Sequence, residues 1–268
     1  IIEITSLYYA LKIQNVELIK AFLTHPKIDV NSMYIKKLND DYFYCESALY
    51  TVINSTSLFD SEYLIEILKL FLSHEEIDIN AKLIIKNKDK EKNKTVLHNA
   101  VKKWCTEAVK CLISNPNINV NETMYSKTSK KEKKGLTALH LAVLYSSSDI
   151  VELLLSNPKI DVNIKLNKME MMEKGEINYD NPFSCLKTRK KGRRIGMTAL
   201  HLAVENNNSE IVKLLLSNDK IDVNIKLDTF MNIEEENSSM SLFFSRRKPL
   251  KPMERIEMTA LHLAVENN

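Results

Sequence analysis

Glycine is scarce in this chain, 4 of 268 residues. That scarcity speaks against folds built on glycine-rich loops, including those that cradle phosphates. Four cysteines, Cys45, Cys105, Cys111 and Cys185, form no CxxC pair and no dense framework. This excludes a disulfide-stapled secreted domain, and the expected setting is reducing, intracellular and cytoplasmic. There is no signal-peptide pattern and no apolar run long enough to span a bilayer. Neither GxSxG, nor a Walker-type loop, nor HExxH occurs, so no catalytic residue, cofactor or small-molecule substrate is expected. Charge of one sign is also lacking: 38 basic against 35 acidic residues leave +3, with no overall pull toward nucleic acid or membrane. The chain opens at Ile1 without a methionine and stops abruptly at Asn268, so it is expected to be a segment of a longer protein.

What the chain does have is repetition. TALHLAVLYSSSDIVELLLSNPKIDVNIK from Thr137 and TALHLAVENNNSEIVKLLLSNDKIDVNIK from Thr198 agree at 22 of 29 positions. TALHLAVENN opens a third copy at Thr259. Weaker copies begin at Thr5, Ser47 and Thr95. In four complete copies the D-V-N triplet starts 24 residues after the opening residue; in the Ser47 copy it starts 31 after, with the extra length near Asn54 to Asp60.

Each unit reads as two short helices. Thr198 is placed to cap the first, since its hydroxyl can accept a bond from an otherwise unpaired backbone N–H. Leu200, Ala203 and Val204 follow at helical spacing and form an apolar face. Asn206 to Asn208 break that helix, because asparagine tolerates the left-handed backbone. Ser209 is expected to cap the second helix. That helix, with Ile211, Val212, Leu214, Leu215 and Leu216, is apolar on more than one side and needs neighbours to cover it.

TALHLAV, then EIVKLLL, then DVN resembles the ankyrin repeat. Alanine stands where the family usually has proline after the threonine, and asparagine or Asn-Pro where it has glycine. The asparagine-rich style with charged insertions is also similar to the large ankyrin families of parasitic protists such as trichomonads. The resemblance implies an all-α fold, an α-solenoid of helix–turn–helix repeats with extended finger loops, forming one array over 1–268. The expected repeats lie near 5–31, 47–80, 95–121, 137–163 and 198–224, with a truncated copy at 259–268. The insertions are 32–46, 81–94, 122–136, 164–197 and 225–258. The resemblance further implies a scaffold that binds a partner protein through its concave face and finger loops. The rival reading is a structural or regulatory arm of a larger enzyme or channel.

Start-to-start distances of 42, 48, 42, 61 and 61 exceed the family period of about 33 residues. The excess falls in the fingers, where added loop length costs little. The early connectors are lysine-rich, KNKDKEKNK from Lys86 and SKKEKK from Ser129, and read as solvated loops. The last two, 167–197 and 228–258, align without gaps and match at 8 of 31 positions, so the late repeating unit is 61 residues long. Each carries an acidic half, a basic half and central phenylalanines, Phe183 in one and Phe243-Phe244 in the other. One reading is a hairpin presenting phenylalanine at its tip; the other is a duplicated disordered loop.

His98, His140, His201 and His262 recur at one repeat position and invite a metal reading. Stacked helices lie about 8–10 Å apart, while zinc ligands each sit about 2 Å from one ion. Neighbouring rings therefore cannot share a metal, and no metal site is expected. In the ankyrin family this histidine makes structural hydrogen bonds. The run from Thr188 to Arg194 holds five basic residues in seven and would suit nuclear import or phosphate binding. Residues 167–194 carry a net +4, whereas 228–257 carry −1. A nucleic-acid groove would keep one sign in both copies, which argues against that partner. Trp104, the one tryptophan, falls in an inter-helix turn. Two readings stand for it: packing on the adjacent repeat, or anchoring an interface. The exposed partner-binding candidates are Trp104, Leu144, Tyr145, Glu205, Asn206, Phe183, Phe243 and Phe244.

Overall fold

A computed structural model describes residues 2–39, 42–55, 61–88, 90–128, 131–166, 169–170, 192–231 and 254–267. Thr5, Ser47, Thr95, Thr137 and Thr198 hold extended backbone at the N-cap of a seven-residue helix. These first helices are α1 (Ser6–Lys12), α3 (Ala48–Asn54), α5 (Val96–Lys102), α7 (Ala138–Leu144) and α9 (Ala199–Glu205). The second helices are α2 (Val16–Leu23), α4 (Ser61–Leu72), α6 (Thr106–Ile113), α8 (Ser148–Leu155) and α10 (Ser209–Leu216), and α11 (Ala260–Asn267) opens a sixth pair. The longer Ser47 unit spends part of its extra length on α4, which has 12 residues against 8 in α8.

Four inter-helix turns carry a residue at φ between 53° and 57°: Gln14, Trp104, Ser146 and Asn207. The left-handed position is therefore not reserved for asparagine. The second helix of the Thr198 unit is capped by Asn208 rather than Ser209. Asn208 still has non-helical backbone, and its side chain accepts from the Ile211 amide at 3.1 Å, while Ser209 already lies within the helix. First helices stack on first helices and second on second along the array. Ile19, Leu23, Val109, Leu112, Ile150, Leu154, Ile211 and Leu215 belong to one continuous buried core.

Among the described residues the fingers form strands, and the fold is not strictly all-α. β1 (Ile2–Glu3), β2 (Met33–Asn39), β3 (Tyr42–Ser47), β4 (Lys82–Asn87), β5 (Lys90–Thr95), β6 (Tyr125–Thr128) and β7 (Lys131–Lys134) form a seven-stranded antiparallel sheet in chain order. A second sheet, ordered β11-β10-β9-β8, joins β8 (Met169–Glu170), β9 (Gly192–Ile195), β10 (Leu227–Met231) and β11 (Glu254–Met258). Geometry explains the pairing. Two strands advance a sheet by nearly 10 Å at about 4.7–4.9 Å each. Stacked helices advance by about 8–10 Å. Within each sheet a hairpin therefore meets the next in hydrogen-bonding position, and the lysine-rich connectors become strands.

An asparagine clamp ties one repeat to the next. Asn31 donates to the Glu76 carbonyl at 2.7 Å and accepts from the Asp78 amide at 2.8 Å. Asn80 bonds Asn117 and Asn119 in the same way, Asn121 bonds Lys159 and Asp161, and Asn163 bonds Lys220 and Asp222. The third residue of D-V-N is thus the coupling residue. Replacing Asn121 by alanine removes both bonds of one clamp and should cost about 1–3 kcal/mol, at about 0.5–1.5 kcal/mol per net hydrogen bond. Urea unfolding reads that loss directly, and an unshifted midpoint would show that the clamp does not couple the repeats.

Candidate functional site

The finger sheet turns one face toward the first helices. Tyr34 of β2 stacks on Tyr8 of α1, ring centroids 4.4 Å apart and 3° from parallel. Tyr44 meets Tyr34 edge-on at 6.1 Å. Strand register places Lys36, Tyr44, Ile85 and Lys92 in one row on this face. The result is a groove with the sheet as its wall, the first helices as its floor and the turns as its far rim.

A carboxylate is buried at the corner of the groove. Glu46, 1% exposed, accepts the Tyr8 and Tyr44 hydroxyls, each at 2.7 Å. The Lys12 ammonium stands 3.8 Å from the same carboxylate and 5.1 Å from the centre of the Tyr8 ring. Burial first, and the bond to Glu46 second, hold both phenols well above the usual tyrosine range.

Tyr8 and Tyr50 occupy the register that His98, His140, His201 and His262 fill in later repeats. In those repeats the ring reaches back to its own cap. Thr95 Oγ1 lies 2.7 Å from His98 Nδ1, and the Thr95 amide donates to the same nitrogen at 3.3 Å. Thr137–His140, Thr198–His201 and Thr259–His262 repeat the arrangement. His98 also spans to the next unit, with Nε2 3.0 Å from the Leu136 carbonyl. Tyrosine is longer, so Tyr8 reaches the side chain of Glu46, the residue just ahead of the next cap. The histidines thus take the structural role expected of them. Burial pushes His98 and His140 down to about 4. Burial also raises the thiols of Cys45 and Cys111.

The expected contact residues do not all share the groove rim. Trp104 is 64% exposed and sits edge-on to Tyr145 of the next repeat, ring centroids 6.1 Å apart. Trp104 thus packs on the adjacent repeat, the first of its two readings, and is otherwise largely exposed. Leu144 is 1% exposed and belongs to the core, so it is not available to a partner. Glu205 and Asn206 are half-buried, and Asn206 donates to the Val143 carbonyl of the preceding repeat at 3.4 Å. Phe183, Phe243 and Phe244, with the basic run from Thr188 to Lys191, lie outside the described residues. Sequence reading passed over Tyr34, Tyr44, Glu46, Lys36 and Lys92. The available signal was tyrosine at the histidine register in the first two copies.

Helix pairs stacked with projecting hairpins define a solenoid repeat protein. Residues 61–165 match the family model described as ankyrin repeats in 3 copies, and residues 195–227 match the ankyrin repeat model. Together these matches span just over half of the chain, which belongs to the ankyrin repeat family. Ankyrin repeats are generally protein–protein interaction modules. No curated protein matches the chain. Among solved structures, the ankyrin repeat domain of Bcl-3, described as a unique member of the IkappaB protein family, is 18% identical. That likeness covers 82% of this chain and 74% of that one at a TM-score of 0.51, and bears on fold alone. EF0377, an ankyrin repeat protein, is 17% identical over 81% of this chain and 99% of that one, at a TM-score of 0.45. Among the described residues no helix is long and apolar enough to cross a membrane.

The buried histidines set a pH response. Unfolded histidine takes a proton near 6.5, whereas the folded rings of His98 and His140 wait until about 4. Between those values the unfolded chain binds more protons, so stability rises with pH and is complete above about 6.5. By pH 4 each ring should have cost roughly 3 kcal/mol. Urea midpoints measured from pH 7.5 down to 4.5 should fall, and the fall should be shallower in His98→Gln/His140→Gln. A flat profile in the unmodified chain would contradict this.

Proposed function

We propose that this chain is one ankyrin array that binds a partner protein across its groove, with Trp104 as the anchor. The supporting observation is the strain at that residue. Trp104 holds φ at 54°, a conformation that costs an L-residue about 1–2 kcal/mol and that glycine adopts freely. A large aromatic in so poor a backbone site, mostly open to solvent, is unfavourable for the fold and well suited to an interface, where tryptophan is enriched among the residues that dominate binding. Tyr145 supports the ring edge-on and fixes its orientation.

Trp104→Gly separates the two roles. Relief of backbone strain offsets the lost contact with Tyr145, so thermal stability should stay within a few degrees of the original. Partners captured by the unmodified chain should bind the variant at least about tenfold more weakly, as expected for a central aromatic anchor. Because the chain has one tryptophan, binding of a purified partner should also shift its fluorescence to shorter wavelength. Full capture by the variant, with no emission shift in the original chain, would refute Trp104 as the anchor.

A further inference from the structure

The first helices α1, α3, α5 and α7 read SLYYALK, ALYTVIN, VLHNAVK and ALHLAVL, with no acidic residue, whereas α9 ends on Glu205. The second helices carry Glu17, Glu62, Glu66, Glu107, Asp149, Glu152 and Glu210 against Lys20, Lys69, Lys110 and Lys213. Register places Lys36 and Lys92 on the groove face, in one row with Tyr44 and Ile85. Lys37, Phe43, Lys86 and Glu91 form the neighbouring row, on the opposite face, where Lys86 pairs with Glu91 at 3.5 Å. The carboxylate on the groove face, Glu46, is buried and already held by Tyr8, Tyr44 and Lys12. Register thus leaves Lys36 and Lys92 on the groove face in a row that holds no carboxylate, and the first helices α1 and α5 add Lys12 and Lys102 at their far ends.

We propose that the groove takes an extended acidic segment of a partner polypeptide, whose carboxylates meet Lys36 and Lys92 while an apolar side chain seats against Trp104. This rests on the protein-binding reading above and adds the partner's chemistry. Lys36 and Lys92 stand three strand spacings apart, about 14 Å at 4.7–4.9 Å per strand. An extended segment crossing the strands rises about 3.3 Å per residue. Acidic residues at i and i+4, on one face of that segment, span about 13 Å and fit both ammonium groups. Nucleic acid suits the surface less well. Bases stack on open aromatic faces, and the groove tyrosine Tyr34 is already stacked face to face with Tyr8, which leaves Trp104 for such a contact.

The probe is a fluorescein-labelled peptide of alternating Glu and Ser, about twelve residues long, alongside its Gln-for-Glu twin and an oligothymidylate of equal length. The full chain should bind the Glu peptide in preference to both, with affinity falling as salt rises. Lys36→Glu/Lys92→Glu should weaken binding at least about tenfold, and Lys36→Gln/Lys92→Gln by an intermediate factor. Lys110→Glu/Lys213→Glu, on second helices, should leave binding unchanged. Circular dichroism of each variant confirms folding, and the Gln pair keeps the test open should the Glu pair unfold. Equal binding by groove and second-helix variants, no preference for Glu over Gln, or tighter binding of oligothymidylate would each overturn the proposal. A natural partner that depends on Trp104 but not on Lys36 or Lys92 would overturn the acidic assignment alone. Loss of the Trp104 dependence would instead count against the protein-binding reading beneath it.

Discussion

The asparagine at the end of each D-V-N triplet governs the distance between repeats. Its amide accepts a backbone N–H and donates to a backbone carbonyl two residues earlier in the next loop, so the two loops cannot slide past one another without breaking both bonds. Set at that distance, the helices pack side by side and the hairpins fall within reach of each other. A solenoid with looser coupling would leave its fingers as separate ribbons, each with open edges. Here β1 to β7 pair edge to edge, and the early fingers become a wall.

That wall gives the groove its character. Residues from different repeats line up across strands: Lys36 from one finger and Lys92 from the next face the same space. Behind them, Glu46 and its two tyrosines bind the first finger to the first helix. In later repeats the threonine–histidine box makes the corresponding joint with fewer atoms. At Glu46 and at His98 the buried polar group is bonded on both sides, which holds the corner there. Rigidity suits a surface whose role is docking, because less ordering is lost when a partner arrives.

The helical half of the fold was legible in the residues. Repeated threonine caps, apolar spacing and polar turns have local causes, and local causes appear in sequence. Finger pairing has a non-local cause. KEKNK has poor strand propensity and pairs because the stack presents another hairpin about 10 Å away. Leu144 was misjudged for a related reason: its register holds Lys12, Lys102 and Glu205 elsewhere, all polar, and only the packed array shows that this leucine turns inward. Trp104 was visible as a tryptophan in a turn, but its positive φ was not. The groove's lysines were hidden because lysine and glutamate alternate along KEKNK; strand register is what puts Lys92 on the groove face and Glu91 on the other.

Amide hydrogen exchange on the native chain tests the central claim most directly, at the backbone groups the clamps hold: Asp78, Asn119, Asp161 and Asp222. These amides lie in surface loops, where exchange is ordinarily fast. If asparagine clamps couple the array, they should exchange as slowly as amides of the buried helices and open together with them. Fast exchange at these four amides, with the helices still protected, would show repeats that stack without being coupled and would remove the basis for a rigid groove.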